Sequence, residues 1–263
     1  VTSSEVGVTA ARVVAAEWTK LASLSSTTWL TAGTVCAAAV LAFVLGLFAG
    51  PGDAVSASSL ASSGYLLAQL GPLVLGVLVG STDFTVGTSL TTYAAVPRRI
   101  PVLLAQVVLT TALTLVTGVA AISVSLAATA GARRTAGLSW TLSSPSDLRT
   151  AVGYVLFLAG AGVCGVLLGS LLRRPLAALA TAVALFVLLD QVLATHPGHV
   201  VDTVRALLPS SGTRMFADEA RLSALGAGHG PHLGVGGGGL VLAAWCVALT
   251  ALAGFRLVRR DVS

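Results

Sequence analysis

Six long apolar runs separated by shorter polar stretches set the pattern of this chain: Leu30–Ala49, Leu60–Gly80, Ile100–Ala130, Ala151–Leu172, Leu176–Ala194 and Gly236–Val258. A helix needs about 20 mostly apolar residues to cross roughly 30 Å of hydrocarbon. Each run therefore predicts one membrane-spanning helix, and the third is long enough to tilt or to emerge from the lipid. The sixth opens on Gly236–Gly239, so its start is open by several residues, and losing it would leave a count of five.

Ahead of these runs, Thr9–Leu24 follows a different pattern. At 100° per residue, Ala11, Val14, Trp18 and Leu21 share one face, and Arg12, Thr19, Lys20 and Ser23 share the other. Such a helix suits the membrane interface, and Trp29 marks the headgroup level where the first span enters. Glu5, Arg12, Glu17 and Lys20 interrupt the N-terminal stretch, so no cleavable signal peptide is expected there. The expected fold class is all-α: a polytopic membrane protein with six transmembrane helices preceded by an amphipathic interfacial helix. Residues 1–29 form a cytoplasmic N-terminus with an elbow helix, 30–258 the six-helix transmembrane domain, and 259–263 a cytoplasmic tail.

Composition sharpens this picture. Of 263 residues, 55% are hydrophobic and only 10% charged, against about 25% charged in a soluble domain. A chain this apolar needs the bilayer as its solvent. Cys36, Cys164 and Cys246 all lie inside apolar runs and behave as small hydrophobes, with no disulfide framework implied. The net charge is +5, but the arginines stand in pairs at the ends of apolar runs. That is the pattern of membrane orientation, not of a nucleic-acid stripe. With the N-terminus inside, Arg12, Lys20, Arg98, Arg99, Arg173, Arg174, Arg256, Arg259 and Arg260 face the cytoplasm, nine of the fifteen Lys and Arg. Both termini are thus expected to be cytoplasmic in a bacterial plasma membrane, with membrane lipids as partners and no nucleic acid.

Candidate chemistry inside the spans is sparse. Gly160-Ala-Gly162-Val-Cys-Gly165 matches G-x-G-x-x-G, yet it lies within a span, where glycines let another helix approach, and not after a strand. The pairs Gly46/Gly50, Gly76/Gly80 and Gly165/Gly169 add small-xxx-small spacings of the same kind. No G-x-x-x-x-G-K-[ST], H-E-x-x-H or G-x-S-x-G occurs, so ATP hydrolysis and hydrolase chemistry gain no support. Asp190, followed by Gln191, is the one carboxylate within a run. It is either an intramembrane polar site or a side chain reaching the outer headgroups. His196, His199, His229 and His232 all fall between the fifth and sixth runs. Pro-Gly turns break both pairs, and no metal is expected there.

The polar stretch Ser81–Arg99 has its own logic. It carries Asp83, Phe84, Gly87, Thr88, Tyr93, Pro97, Arg98 and Arg99 between the second and third runs. A turn starting at Ser81–Asp83 would break at Gly87, and Thr88 or Ser89 can cap a short helix that Pro97 stops. A short helix held by two spans is a lever, because a push on it moves both spans as bodies. The other reading is a plain connector with orienting arginines.

Taken together, these stretches resemble the membrane subunit of an ABC transporter of the type-2 exporter family, in its compact six-span actinobacterial form. Arg12-Val-Val-Ala-Ala-Glu17-Trp18-Thr19-Lys20-Leu21 followed by Ser26-Thr-Thr-Trp29 resembles the family's interfacial opening. Asp83-Phe-Thr-Val-Gly87-Thr88 with Ala95-Val-Pro97-Arg98-Arg99 is similar to its acid-x-x-x-G-T…P-x-R loop. Arg173-Arg174-Pro175, Leu208-Pro209, Trp245 and Arg259-Arg260-Asp261-Val262 extend the likeness along nearly the whole chain. The family often has Glu where Asp83 stands and frequently Lys where Gln106 stands. The resemblance implies an export permease that is not itself an enzyme. It implies a second copy in a homodimer and a separate ABC ATPase subunit holding ATP and Mg, with no cofactor in this chain. Ser81–Arg99 would be the coupling loop, beside the elbow helix with Arg12, Glu17, Trp18 and Lys20. The cargo expected is a hydrophobic or amphiphilic drug, antibiotic, peptide or lipid. A membrane sensor or assembly factor without transport activity is the alternative.

Overall fold

A computed structural model describes residues 10–48, 56–85, 99–135, 137, 141, 144–196, 198–218, 222, 231 and 233–259. Among these, all regular structure is helical. Six helices are long and apolar enough to cross a membrane: Ser25–Gly46, Ala57–Thr82, Pro101–Ala128, Pro145–Leu172, Pro175–Ala194 and Val235–Arg256. The chain is an all-α polytopic membrane protein, and these six are called spans one to six.

Several ends differ from the apolar runs, each for a local reason. Span four starts at Pro145, well before Ala151, because proline at the first helical position loses only an N–H that would be unpaired anyway. Its polar first turn, with Asp147, is invisible to a hydrophobicity scan. The helix ending span two runs from Leu70 to Thr85, so the expected turn at Ser81–Asp83 is helical instead. Ser81 Oγ donates to the Val77 carbonyl at 2.7 Å and Thr82 Oγ1 to that of Leu78, so both hydroxyls are absorbed within the helix. Earlier in the same span the helix is broken into Ala57–Ser62 and Tyr65–Ala68 before Leu70, and a Ser56–Ser59 capping box opens it.

Span four is the most enclosed of the six, and its glycines show why. A Cβ on Gly160 would lie 2.6 Å from Leu242 of span six, one on Gly162 2.8 Å from Thr114 of span three, and one on Gly165 2.7 Å from the Leu73 carbonyl of span two. The three glycines of G-x-G-x-x-G thus admit three different neighbours, the helix-packing role and not a phosphate cradle. Spans two and four are locked most tightly. Gly76 faces the Gly162 carbonyl and Gly80 that of Val166, while Gly169 faces that of Val77. Around span four, Tyr154, Phe157, Leu158, Val166 and Leu167 are fully buried.

Span five contains a wider π-turn at Ala184–Leu188. A stripe at every fourth residue drifts around an α-helix by about 40° per step. The wider turn takes part of that drift back, so Ala178, Ala182 and Phe186 stay buried on the bundle side with Asp190 following them half-exposed. Between spans four and five only Arg173 and Arg174 lie outside helix. Arg173 adopts a left-handed conformation (φ 56°), its N–H bonding the Gly169 carbonyl at 2.9 Å.

Candidate functional site

The interfacial helix spans Ala10–Ser23 and meets span one through a single extended residue, Leu24. It does not lie free of the bundle. Val13 packs with Val102 and Ala105 at the start of span three, and Leu21 joins the main core. The buried stripe is Val13, Glu17 and Leu21, whereas Trp18 is 53% exposed. Of the expected face of Ala11, Val14, Trp18 and Leu21, Leu21 is buried and Val14 half-buried, but Ala11 and Trp18 are exposed, with Val13 and Glu17 turned inward instead.

The correction has a chemical cause. Glu17 is only 6% exposed, and both of its oxygens have partners. Lys20 Nζ donates to Oε1 at 2.5 Å and Gln106 Nε2 of span three to Oε2 at 3.3 Å. Lys20 is nearly half exposed, so its pairing contributes little more than a surface ion pair, about 0–1 kcal/mol. The hydrogen bond from buried Gln106 to a charged acceptor is worth about 1.5 kcal/mol at its long distance, the lower end of its class. Gln106 thus ties Glu17 to span three, beside the apolar contacts of Val13 and Leu21. Trp18 is left free to turn towards the interface, where an indole suits both lipid and headgroup. Trp29, 78% exposed, sits in the same outer position. Arg12 is exposed on the same helix.

This contact brings four elements to one end of the bundle. Glu17, Lys20, Leu21 and Leu24 of the elbow, Ser26 and Thr27 of span one, Leu75, Leu78, Val79 and Thr82 of span two, and Gln106 of span three line a common groove. The end of span four lies at this end too, since Gly169 packs on Gly80 and Ser81. Span six closes there, with Arg256 Nη1 donating to the Leu171 carbonyl at 2.7 Å. Of the expected coupling residues, Asp83 and Phe84 fall in the last helical turn before Thr85, and Arg99 opens the helix Arg99–Ala128. Gly87, Thr88, Tyr93, Pro97 and Arg98 lie outside the described residues.

At the opposite end, Asp190 has a partner that the sequence pattern did not reveal. Arg205 Nε donates to Asp190 Oδ1 at 3.2 Å, tying span five to the helix His199–Leu207. Gln191 is exposed beside it. Beyond that helix, Pro209–Met215 forms a tight 3-10 stretch that packs back into the bundle. Gly153 and Gly238 make room, since a Cβ there would meet the Met215 and Ser211 carbonyls at 2.5 and 2.4 Å. Phe216 then joins Tyr65, Tyr154 and Phe157 in edge-on and tilted ring contacts of 5.4–5.6 Å. Arg214 Nη1 donates to the Leu233 carbonyl at 2.8 Å. Burial, and next the charge of Arg205, lower the pKa of Arg214, while Asp190 acts the other way. The segment that enters the bundle is Leu208–Ala217.

His196 is exposed and hydrogen-bonds the neighbouring Thr195 hydroxyl, and His199 is exposed at a helix start. His229 and His232 lie outside the described residues. Among the described residues, no group of three or more His, Cys, Asp or Glu side chains converges on a common point. The chain matches no known family model, no curated protein and no solved structure.

Proposed function

We propose that this chain is the transmembrane subunit of an ATP-driven ABC exporter of a bacterial plasma membrane, both termini facing the cytoplasm. Two copies would work with a separate ATPase that binds ATP and Mg, and move a hydrophobic or amphiphilic molecule outward. The observation that carries this reading is the meeting of the elbow helix with the helix ends that flank residues 86–98. Glu17 is bonded to Gln106, two turns into the helix that Arg99 opens, and shares a groove with Thr82, one turn before the end of the preceding helix. A force applied to the segment between Thr85 and Arg99 would reach spans two and three directly, and the elbow through Gln106. Because Gly76 and Gly80 lock span two onto span four, those spans would move together as a rigid unit.

The filled core supports a path between two copies. Tyr154, Phe157 and Phe216 fill the interior of one bundle towards the end away from the elbow with at most 2% exposure, which leaves no room for a drug-sized molecule there. Purification in mild detergent tests the reading, with an ATPase of the Walker type expected to co-purify. Asp83→Arg and Arg98→Glu are expected to abolish ATP-dependent export, measured as efflux of a fluorescent amphiphile, while the protein still inserts. Export that survives both substitutions would remove the coupling role. A chain that inserts and functions with no ATPase bound would favour a membrane sensor or assembly factor.

A further inference from the structure

The groove under the elbow helix is a mixed surface. One wall is apolar, made by Leu21, Leu24, Leu75, Leu78 and Val79, while Glu17, Lys20, Ser26, Thr27, Thr82 and Gln106 supply polar groups. The groove is open to one side, and its cavity volume is only about 40 Å³. An engineered cavity that admits benzene is about 150 Å³, so a compact ligand does not fit inside. An elongated amphiphile fits, lying along the open groove with only its polar end inserted.

We infer that this groove binds a zwitterionic aminophospholipid, phosphatidylethanolamine in the simplest case, with the ammonium at Glu17, the phosphate at Lys20 and one acyl chain along the leucines. Charge complementarity selects this occupant. Glu17 and Lys20 form a neutral pair of opposite charges, the mirror of an ammonium–phosphate headgroup. Lys20 and Gln106 use two of the roughly four acceptor positions of a carboxylate. A primary ammonium brings three N–H donors to such a group, whereas a choline headgroup brings none. The Thr27 hydroxyl beside the same groove is buried and, among the described residues, has no hydrogen-bond partner. An anionic lipid would be drawn to the basic residues of this end but would set its charge against Glu17. Trp18 and Trp29, exposed nearby, place the groove at headgroup depth. The inference needs only the membrane setting and stands whether or not the chain exports anything.

The test is lipid retention by the full chain after exchange into nanodiscs holding equal parts of phosphatidylethanolamine, phosphatidylcholine and phosphatidylglycerol of one acyl composition. The protein is then extracted in detergent, and the bound lipid is measured by mass spectrometry. The expected result is about ten-fold enrichment of the ethanolamine lipid over the choline lipid, the ratio set by one charge-assisted hydrogen bond. Glu17→Gln is expected to bring that ratio near one. Leu78→Trp, which fills the groove and leaves the ion pair intact, is expected to lower retention of every phospholipid and guards against a folding defect in the first variant. Equal retention of ethanolamine and choline lipids by the wild type, preference for the glycerol lipid, or an ethanolamine preference unchanged in both variants would each overturn the assignment.

Discussion

Gly76 and Gly80 decide how closely spans two and four approach, because a single methyl group at either has nowhere to go. A Cβ would lie 2.2 Å from the Gly162 carbonyl oxygen at the first site and 2.0 Å from that of Val166 at the second. Both obstacles are backbone, so no side chain can swing aside. Gly76→Ala and Gly80→Ala are therefore expected to cost about 1–3 kcal/mol, the usual range for overpacking, and to lower the thermal midpoint in detergent. Gly33→Ala is the control: nothing lies within 4 Å of its added Cβ, and its midpoint should not fall. An unchanged midpoint for Gly80→Ala would mean that the two spans are less tightly joined than this. The spacing of these glycines was legible in the sequence as a packing motif, but the partner of each was not. That one run of residues offers Gly160, Gly162 and Gly165 to three different spans is a fact of the assembled bundle.

At the scale of elements, the length of the apolar runs located all six spans, because each is long enough to cross the bilayer by itself. It failed where polar groups find partners inside the fold. Ser81 and Thr82 look like loop residues, yet their hydroxyls bond backward within the helix. Glu17 belongs to neither face in the sequence pattern, yet a glutamine 89 positions away donates to it in the interior. Leu208–Ala217 looks like an outer loop by its Pro, Ser and Gly content, and its insertion depends on the space left at Gly153 and Gly238. The last two of these partnerships have no local signature. Spans four and six offer a test of register. They run parallel, Gly160 receiving Leu242 and, one turn on in both, Cys164 Sγ lying 3.7 Å from Cys246 Sγ. Treating membranes with diamide, an azo oxidant that takes two electrons from a close dithiol, is expected to join this pair. Maleimide counting under denaturing conditions should then fall from three thiols to the one at Cys36. Three thiols after treatment would contradict the parallel register.

For the whole molecule, the organisation is one of two unlike ends. The elbow end gathers Arg12, Lys20, Arg99, Arg173, Arg174 and Arg256, together with the elbow helix and both flanks of residues 86–98. The opposite end is closed by Leu208–Ala217 over an aromatic cluster, with the Asp190–Arg205 pair at its side. Under the proposed function, force enters at the first end and cargo leaves at the second, so the central claim requires residues 86–98 to face the cytoplasm. The most direct measurement is labelling of Arg98→Cys, in a chain whose native cysteines are replaced by alanine, with a membrane-impermeant maleimide. Labelling only after the cells are opened is the predicted result, whereas labelling of Arg98→Cys in intact cells would put the segment outside and contradict the proposed handover of force.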